Sequence, residues 1–349
     1  MKKNVISKKA ITLLVLVAVL LFGAVGCDSS NNNESNKDKP ITVVWYPNES
    51  ANDYDDTREE VGRLIEQATG RKVEQKLTTD YVIAIEAIAS GSADIAMAMG
   101  AVGYIEAKTK NPQVDVLFVN SGASGTLDDA IYYAWLCVNV NDAASYLIGG
   151  DYAIEDIKGK RMSFVSNSST SGFKVPTAGI IDFFESDELT VDDLVEGGSN
   201  AFFKEVLFGG SHQGSAFNLI SGKADVAAFC DIELQPYIDL KSGEENRVGS
   251  IYGVKSDASA PFDTVHGKEF VVIASTPVLN GPNAYNPKNL SAEEIKAIRD
   301  LFTSAEVTNN AKIFYNPDTD PVGLYKISSS HGYVLVDDSW YNPIREMGN

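Results

Sequence analysis

The chain has 349 residues, with 48 Asp and Glu against 29 Lys and Arg, and a formal net charge of −19. A balance that acidic, with no basic stripe, argues against nucleic acid as a partner. It also means that any bound anion must be held by local donors against an unfavourable global field. Three histidines (His212, His266 and His331) stand singly and show no metal-ligand spacing, so neither a metal nor a cofactor is expected.

Lys2, Lys3, Lys8 and Lys9 precede the apolar run Ala10–Phe22. A basic head and a short apolar stretch describe a secretory signal rather than a structural helix. It closes with Gly23-Ala24-Val25-Gly26-Cys27, which resembles the lipobox of bacterial lipoproteins, with Ala24 where Leu is usual. The expectation is a signal over 1–26, with Cys27 lipidated as the first mature residue and holding the protein at a membrane surface without a spanning helix. Residues 27–40, rich in Ser, Asn, Asp and Lys, form a flexible tether. Loss of the four lysines makes the exported protein more acidic still.

The remaining ~310 residues exceed one ordinary core, so two lobes are expected: 41–136 with 250–349, and 137–249. Ile41–Tyr46 is a first strand. Asp55-Asp56-Thr57 opens a helix with Val61, Leu64, Ile65 and Ala68 on one face, stopped by Gly70. A strand over 73–77, a helix over 81–89 and a buried strand over 93–100 running into a glycine loop follow, then strands over 114–120 and 131–139. This alternation predicts an α/β fold with mostly parallel sheets. Residues 151–160 read as polar helix and 192–207 as helix with surrounding loop. Residues 209–215 read as a turn opening a helix over 216–220. Strands are expected over 226–230, 250–254 and 268–274. Residues 277–289, rich in Pro, Asn and Gly, read as loop. Ser291 caps a helix with Ile295, Ile298, Leu301 and Phe302 on one face. Cys137 and Cys230 sit in apolar strand-like runs and read as core thiols, with one disulfide open as an alternative.

The stretch Asn167-Ser168-Ser169-Thr170-Ser171-Gly172-Phe173-Lys174-Val175-Pro176 lies between a strand (160–165) and a helix (177–184). Unpaired amides, the helix dipole and four hydroxyls in a row make an anion seat; one ordinary N-cap needs one hydroxyl. A second pattern repeats: Ser90-Gly91-Ser92-Ala93-Asp94-Ile95-Ala96 and Ser221-Gly222-Lys223-Ala224-Asp225-Val226-Ala227. The simplest account is one tight helix-to-strand turn used in two lobes of like topology.

The run from Asn167 to Phe173 with Val175-Pro176 resembles the Ser-Thr-Ser-Gly-Phe-x-Val-Pro motif of phosphonate-binding proteins of ABC transporters, relatives of phosphite- and phosphate-binding proteins. The resemblance extends to Asp94-Ile95-Ala96, to His212 in a Gly/Ser turn, to Ala224–Ala227 and to Asn289-Leu290-Ser291. It implies a type II periplasmic-binding fold, two α/β lobes hinged around a cleft. By position it places the anion on Ser169, Thr170 and Ser171, with His212 reaching it and Tyr46 lining the cleft. Asp231, with Glu233 behind it, would hold a ligand ammonium. Met97, Ala98, Met99 and Gly100 stand where the family usually offers aromatics, so Met99 and Gly100 are carried as lining positions and a smaller or differently contacted organic part is expected.

Bottom-up, strand ends at Tyr46, Gly100, Val165 and Asp231 converge on a crevice, and His212 can donate to an oxyanion and become a cation beside it. The expected function is a non-catalytic, monomeric, extracytoplasmic receptor that captures a phosphonate, phosphite or phosphate and docks on ABC permease subunits at the cell membrane or in a periplasm. The alternatives are a sulfonate, nitrate or thiamine-precursor ligand on the same fold, or a secreted hydrolase using Ser169 or Ser171 with His212.

Overall fold

The computed structural model describes residues 39–48, 54–185, 188–321 and 323–347. The expected signal, Cys27 and the tether up to residue 38 lie outside these. In chain order the first elements are β1 (Ile41–Trp45), α1 (Asp55–Thr69), β2 (Val73–Leu77), α2 (Tyr81–Ser90), β3 (Ile95–Met97), α3 (Ala101–Lys110) and β4 (Asp115–Asn120). Next come β5 (Ile131–Asn139), the hairpin β6 (Leu147–Ile148) and β7 (Asp151–Tyr152), β8 (Arg161–Phe164), α4 (Val175–Phe183), α5 (Val191–Val195), β9 (Glu205–Phe208), α6 (His212–Ile220) and β10 (Val226–Cys230). The chain continues with β11 (Ile238–Ser242), β12 (Ile251–Val254), β13 (Glu269–Leu279), β14 (Pro282–Tyr285), α7 (Ala292–Phe302) and α8 (Ala305–Thr308). It finishes with β15 (Phe314–Tyr315), β16 (Tyr325–Lys326), β17 (Tyr333–Val334) and α9 (Asn342–Glu346).

Two mixed sheets result, in the orders β17-β4-β14-β3-β1-β2 and β11-β12-β13-β5-β10-β8-β9. Their parallel cores match: β1 lies between β2 and β3, and β8 between β9 and β10. Each core is flanked on one side by antiparallel strands, β14 then β4, and β5 then β13. The repeated turn makes the two halves alike down to single bonds. Asp94 accepts the Thr42 N–H at 2.8 Å, and Asp225 accepts the Arg161 N–H at 2.9 Å. Each carboxylate thereby ties the start of one parallel strand to the strand that follows the turn. Asp94→Ala is expected to cost about 1–3 kcal/mol by leaving a strand amide unpaired, read as a lower urea midpoint at unchanged slope.

Apolar side chains fill both faces of each sheet. Ile41, Val43 and Trp45 of β1 face α1 and α7, while Val44 and Tyr46 face α2 and α3, the two-residue alternation of a strand buried on both sides. In the second sheet Cys137 and Phe229 pack under α6, and Leu136 and Val138 under α4. Cys137 pairs in register with Ala227, three positions before Cys230 and on the opposite pleat. The two thiols are accordingly free and cannot meet.

Several expectations are corrected. Strands 251–254 and 269–279, and residues 131–136, belong to the second sheet rather than to the first lobe, because β13 pairs with β5 along its length. The crossings between sheets therefore lie at 120–131 and 279–282. They are tied together by Asn280, whose side-chain amide donates to the Asn120 carbonyl at 2.9 Å. The expected loop over 277–289 contains β14, in the middle of the first sheet, with Pro282 at its first residue, where no ladder donor is lost. Residues 151–160 hold a strand and one 3-10 turn instead of a helix, and 192–207 ends in β9.

Candidate anion-binding cleft

A small cavity of about 60 Å³ lies between the lobes, lined from the first by Asn48, Tyr81, Met99, Gly100 and Asn120 and from the second by Tyr132, Ser169, Thr170, Ser171, His212 and Glu233. Three helix beginnings meet there. Gly100 caps α3, Thr170 opens the turn leading into α4, and His212 is the first residue of α6. Each brings amide N–H groups without intrahelical partners and partial positive charge to one place.

The hydroxyl stretch is a wide π turn, Thr170–Lys174, closed by a bond from the Lys174 N–H to the Ser169 carbonyl at 3.1 Å. Its four hydroxyls divide the work. Ser169 accepts the Gly172 N–H at 3.1 Å and so caps the turn. Thr170 Oγ1 accepts the Val102 N–H of α3, from the other lobe, at 2.9 Å. Ser168 donates across the same seam to Glu106 Oε2 at 3.0 Å. Ser171 lines the cavity together with Tyr132. Gly172 makes the tight turn possible: a Cβ there would stand 2.2 Å from Val165 Cγ2.

His212 is buried, and its Nδ1 accepts the Cys230 N–H at 3.1 Å. That fixes the proton on Nε2, and His212 is among the residues that line the cavity. Burial pulls its pKa down to about 3, so His212 is a neutral donor. The expectation that it becomes a cation is corrected, because protonating Nδ1 would set it against an amide hydrogen. The Tyr81 and Tyr132 phenols are raised above their ordinary value, first by burial, then at Tyr81 by the Glu233 charge and at Tyr132 by Cys230. Both are neutral hydroxyls. Tyr81 donates to Asn48 Oδ1, and Asn48 Nδ2 donates to the Ala98 carbonyl at 3.3 Å.

Of the residues expected here, Ser169, Thr170, Ser171, His212, Met99 and Gly100 line the cavity. Tyr46 and Asp231 do not. Tyr46, next but one to Val44 on the same pleat, packs edge-on against Tyr81 at 4.9 Å and ends against Gly103 in the core. Asp231 turns back to the main chain and accepts the Tyr133 N–H at 2.8 Å. Burial raises its carboxyl to about 6. Glu233, the weaker candidate, is the acid at the cavity. Asn48, Tyr81 and Tyr132 were missed. Tyr81 begins a helix just after a strand end, which is a legible signal; Tyr132 inside a buried strand gives none.

Two α/β lobes of matching topology, joined by paired crossings and enclosing a cleft of helix starts and hydroxyls, define a type II periplasmic substrate-binding protein. The family model of the ABC transporter, phosphonate, periplasmic substrate-binding protein matches residues 43–341, and the chain belongs to that family. Its members are binding components of importers, acting outside the cytoplasm. The phosphate-import protein PhnD of Mycolicibacterium smegmatis is 26% identical over 272 residues, covering 72% of this chain and 78% of that protein. A binding-protein component of an ABC phosphonate transporter from Pseudomonas aeruginosa has a similar structure, with 20% identity, a TM-score of 0.61 and coverage of 89% and 86% of the two chains. PhnD1 from Prochlorococcus marinus, solved with methylphosphonate, is 15% identical with a TM-score of 0.62, covering 89% of this chain and 97% of that one. Among the described residues, no helix is long and apolar enough to cross a membrane.

Proposed function

We propose that the cleft binds a small phosphonate-like anion, its oxygens on the Thr170 turn, the start of α3 and His212 Nε2–H, and that the closed protein passes it to the permease. The observation that carries this reading is the convergence of three helix starts, one from the first lobe and two from the second, on one hydroxyl-lined cavity. Thr170 bonds the facing lobe from the middle of the seat, so occupancy and closure share one residue. Methylphosphonate, with which the Prochlorococcus protein was solved, is the simplest ligand of this class to test.

The geometry supports binding rather than turnover. A serine nucleophile needs a base with an open nitrogen, whereas His212 has Nδ1 engaged by Cys230 and carries its proton on Nε2. Attachment through Cys27 and action as a monomer complete the proposal. Isothermal calorimetry with methylphosphonate, phosphite, phosphate and methanesulfonate tests it, and absence of binding to all the phosphorus anions would refute it. Metabolic labelling with a fatty acid, lost in Cys27→Ser, tests the anchor.

A further inference from the structure

Helix α3 bonds the second lobe at two places. Near its start the Val102 N–H donates to Thr170 Oγ1 at 2.9 Å. One turn further on, Glu106 Oε2 accepts the Ser168 hydroxyl at 3.0 Å. Residues four apart share one face of a helix and stand about 6 Å from each other along its axis. One stripe of α3 thus makes both bonds, to hydroxyls two places apart in the same run. Thr170 also lines the cavity, whereas neither Glu106 nor Ser168 does. Ser168 is buried and lies in a tight turn just after β8, where the Ser169 N–H bonds the Ser166 carbonyl at 2.9 Å. Glu106 is half-buried in a separate groove along the seam, which it lines with Asn167 and Lys174 of the second lobe and Arg345 of the first. Arg345 is engaged there by Asp338. The charge of Lys110, four positions on, acts on Glu106 from its own helix.

A bond between two lobes exists only while the lobes are together. Lys110 stays beside Glu106 whether they are parted or not, so its attraction cancels from closure. The Ser168 bond does not cancel. Parted lobes give both groups to water, and exchanging water for a hydrogen bond to a carboxylate is a net gain. A contact made in one state alone shifts the balance toward that state, and a ligand held by that state gains the same factor. We propose that Glu106 and Ser168 form a closure latch, which touches no part of the ligand and sets how long the anion is kept rather than which anion is taken. This inference rests on the phosphonate reading above and adds a control on release to it. Glu106 is a positioning residue in this account: it acts on the ligand through the lobe that Ser168 belongs to.

The test compares the unaltered protein with Glu106→Ala, Glu106→Gln, Ser168→Ala and the double Ala variant. Calorimetry gives the affinities for methylphosphonate and phosphate, and a chase of radiolabelled methylphosphonate with unlabelled ligand gives the dissociation rate. The expected result is dissociation about 10-fold faster in each single Ala variant, with the association rate and the methylphosphonate-to-phosphate ratio unchanged. Glu106→Gln keeps an oxygen that can accept the Ser168 hydroxyl and should retain most of the residence time. The double variant should be no worse than the poorer single one, because the same bond is removed. Melting curves of the ligand-free variants check folding, and if one Ala variant fails, the other carries the comparison. Unchanged dissociation in the Ala variants overturns the proposal while leaving an anion receptor in place. A changed methylphosphonate-to-phosphate ratio also overturns it, because one of the pair would then touch the ligand. Faster dissociation in both Glu106 variants but not in Ser168→Ala overturns it in favour of charge attraction to Lys174. No binding of either anion by the unaltered protein removes the phosphonate reading and this inference with it.

Discussion

Replacing His212 by Leu is expected to weaken methylphosphonate binding by about 10–100-fold, the effect of losing one hydrogen bond to a charged partner. The loss should be nearly flat between pH 5.5 and 8, because the pKa of His212 near 3 keeps it neutral throughout that range. A histidine acting as a cation would instead give an affinity step near its ordinary pKa. Calorimetry at several pH values, with ligand ionisation corrected by a parallel series on the unaltered protein, distinguishes the two.

The same substitution changes acid stability, with a definite sign. His212 has a folded pKa far below its unfolded value of about 6.5. Between those values the unfolded chain binds more protons, so the stability this residue contributes is present above pH 6.5 and is lost as pH falls toward 3. Asp231 works the other way: its folded value of about 6 exceeds the unfolded value of about 3.9, so its contribution is lost as pH rises through about 6. The two partly cancel in the native protein between about pH 4 and 6. Urea unfolding at pH 7 and pH 4.5 should therefore be read as a difference. His212→Leu should remove a destabilisation on acidification of the order of a few kcal/mol, while the unpaired Cys230 amide costs about 1–3 kcal/mol at both pH values and so cancels from that difference.

The second large effect is expected at Gly172. A methyl group there would lie 2.2 Å from Val165 Cγ2, 2.4 Å from Val165 Cβ and 2.9 Å from Ser169 Oγ. Real carbon contacts do not approach so closely, so Gly172→Ala must push the π turn away from the end of β8. That moves Ser169, Thr170 and Ser171 together, and several donors lose the anion at once. Binding should fall at least about 100-fold and stability by about 1–3 kcal/mol. Because Val165 supplies the two shortest contacts and alanine would keep its Cβ, Val165→Gly in the same molecule is the change that removes both, and it should restore part of the loss, giving a coupling energy that distant pairs do not show. Equal losses in single and double variants would show that the glycine acts through something other than Val165.

Much of this was written locally in the sequence. The hydroxyl run, its Gly172 and the Pro176 that starts a helix mark the seat before any coordinates, because capping and turn chemistry depend on residues a few places apart. The repeated Asp94 and Asp225 turns likewise announced two lobes of one topology, and Ser291 with Glu294 forms the capping box its spacing promised. Helix α3 was not legible: its buried residues Ala101, Gly103, Tyr104 and Ala107 are small or polar at one end, and Gly100 looked like the end of a strand. Yet α3 supplies the amide that Thr170 accepts, from 68 positions earlier in the chain.

What the sequence determined by itself is therefore the list of parts: an acidic chain of two like halves, with an anion seat of hydroxyls at a helix start. The tertiary structure alone decided which parts face the cleft. Tyr46 went to the core and Tyr81 to the cavity, Asp231 to a strand amide and Glu233 to the ligand side, and His212 received its tautomer from Cys230. The reason is physical: a strand-end side chain chooses its face by what the neighbouring sheet and helices leave open, and a histidine's proton is placed by whichever amide arrives beside it. Those neighbours are brought together by packing and are not adjacent in the chain.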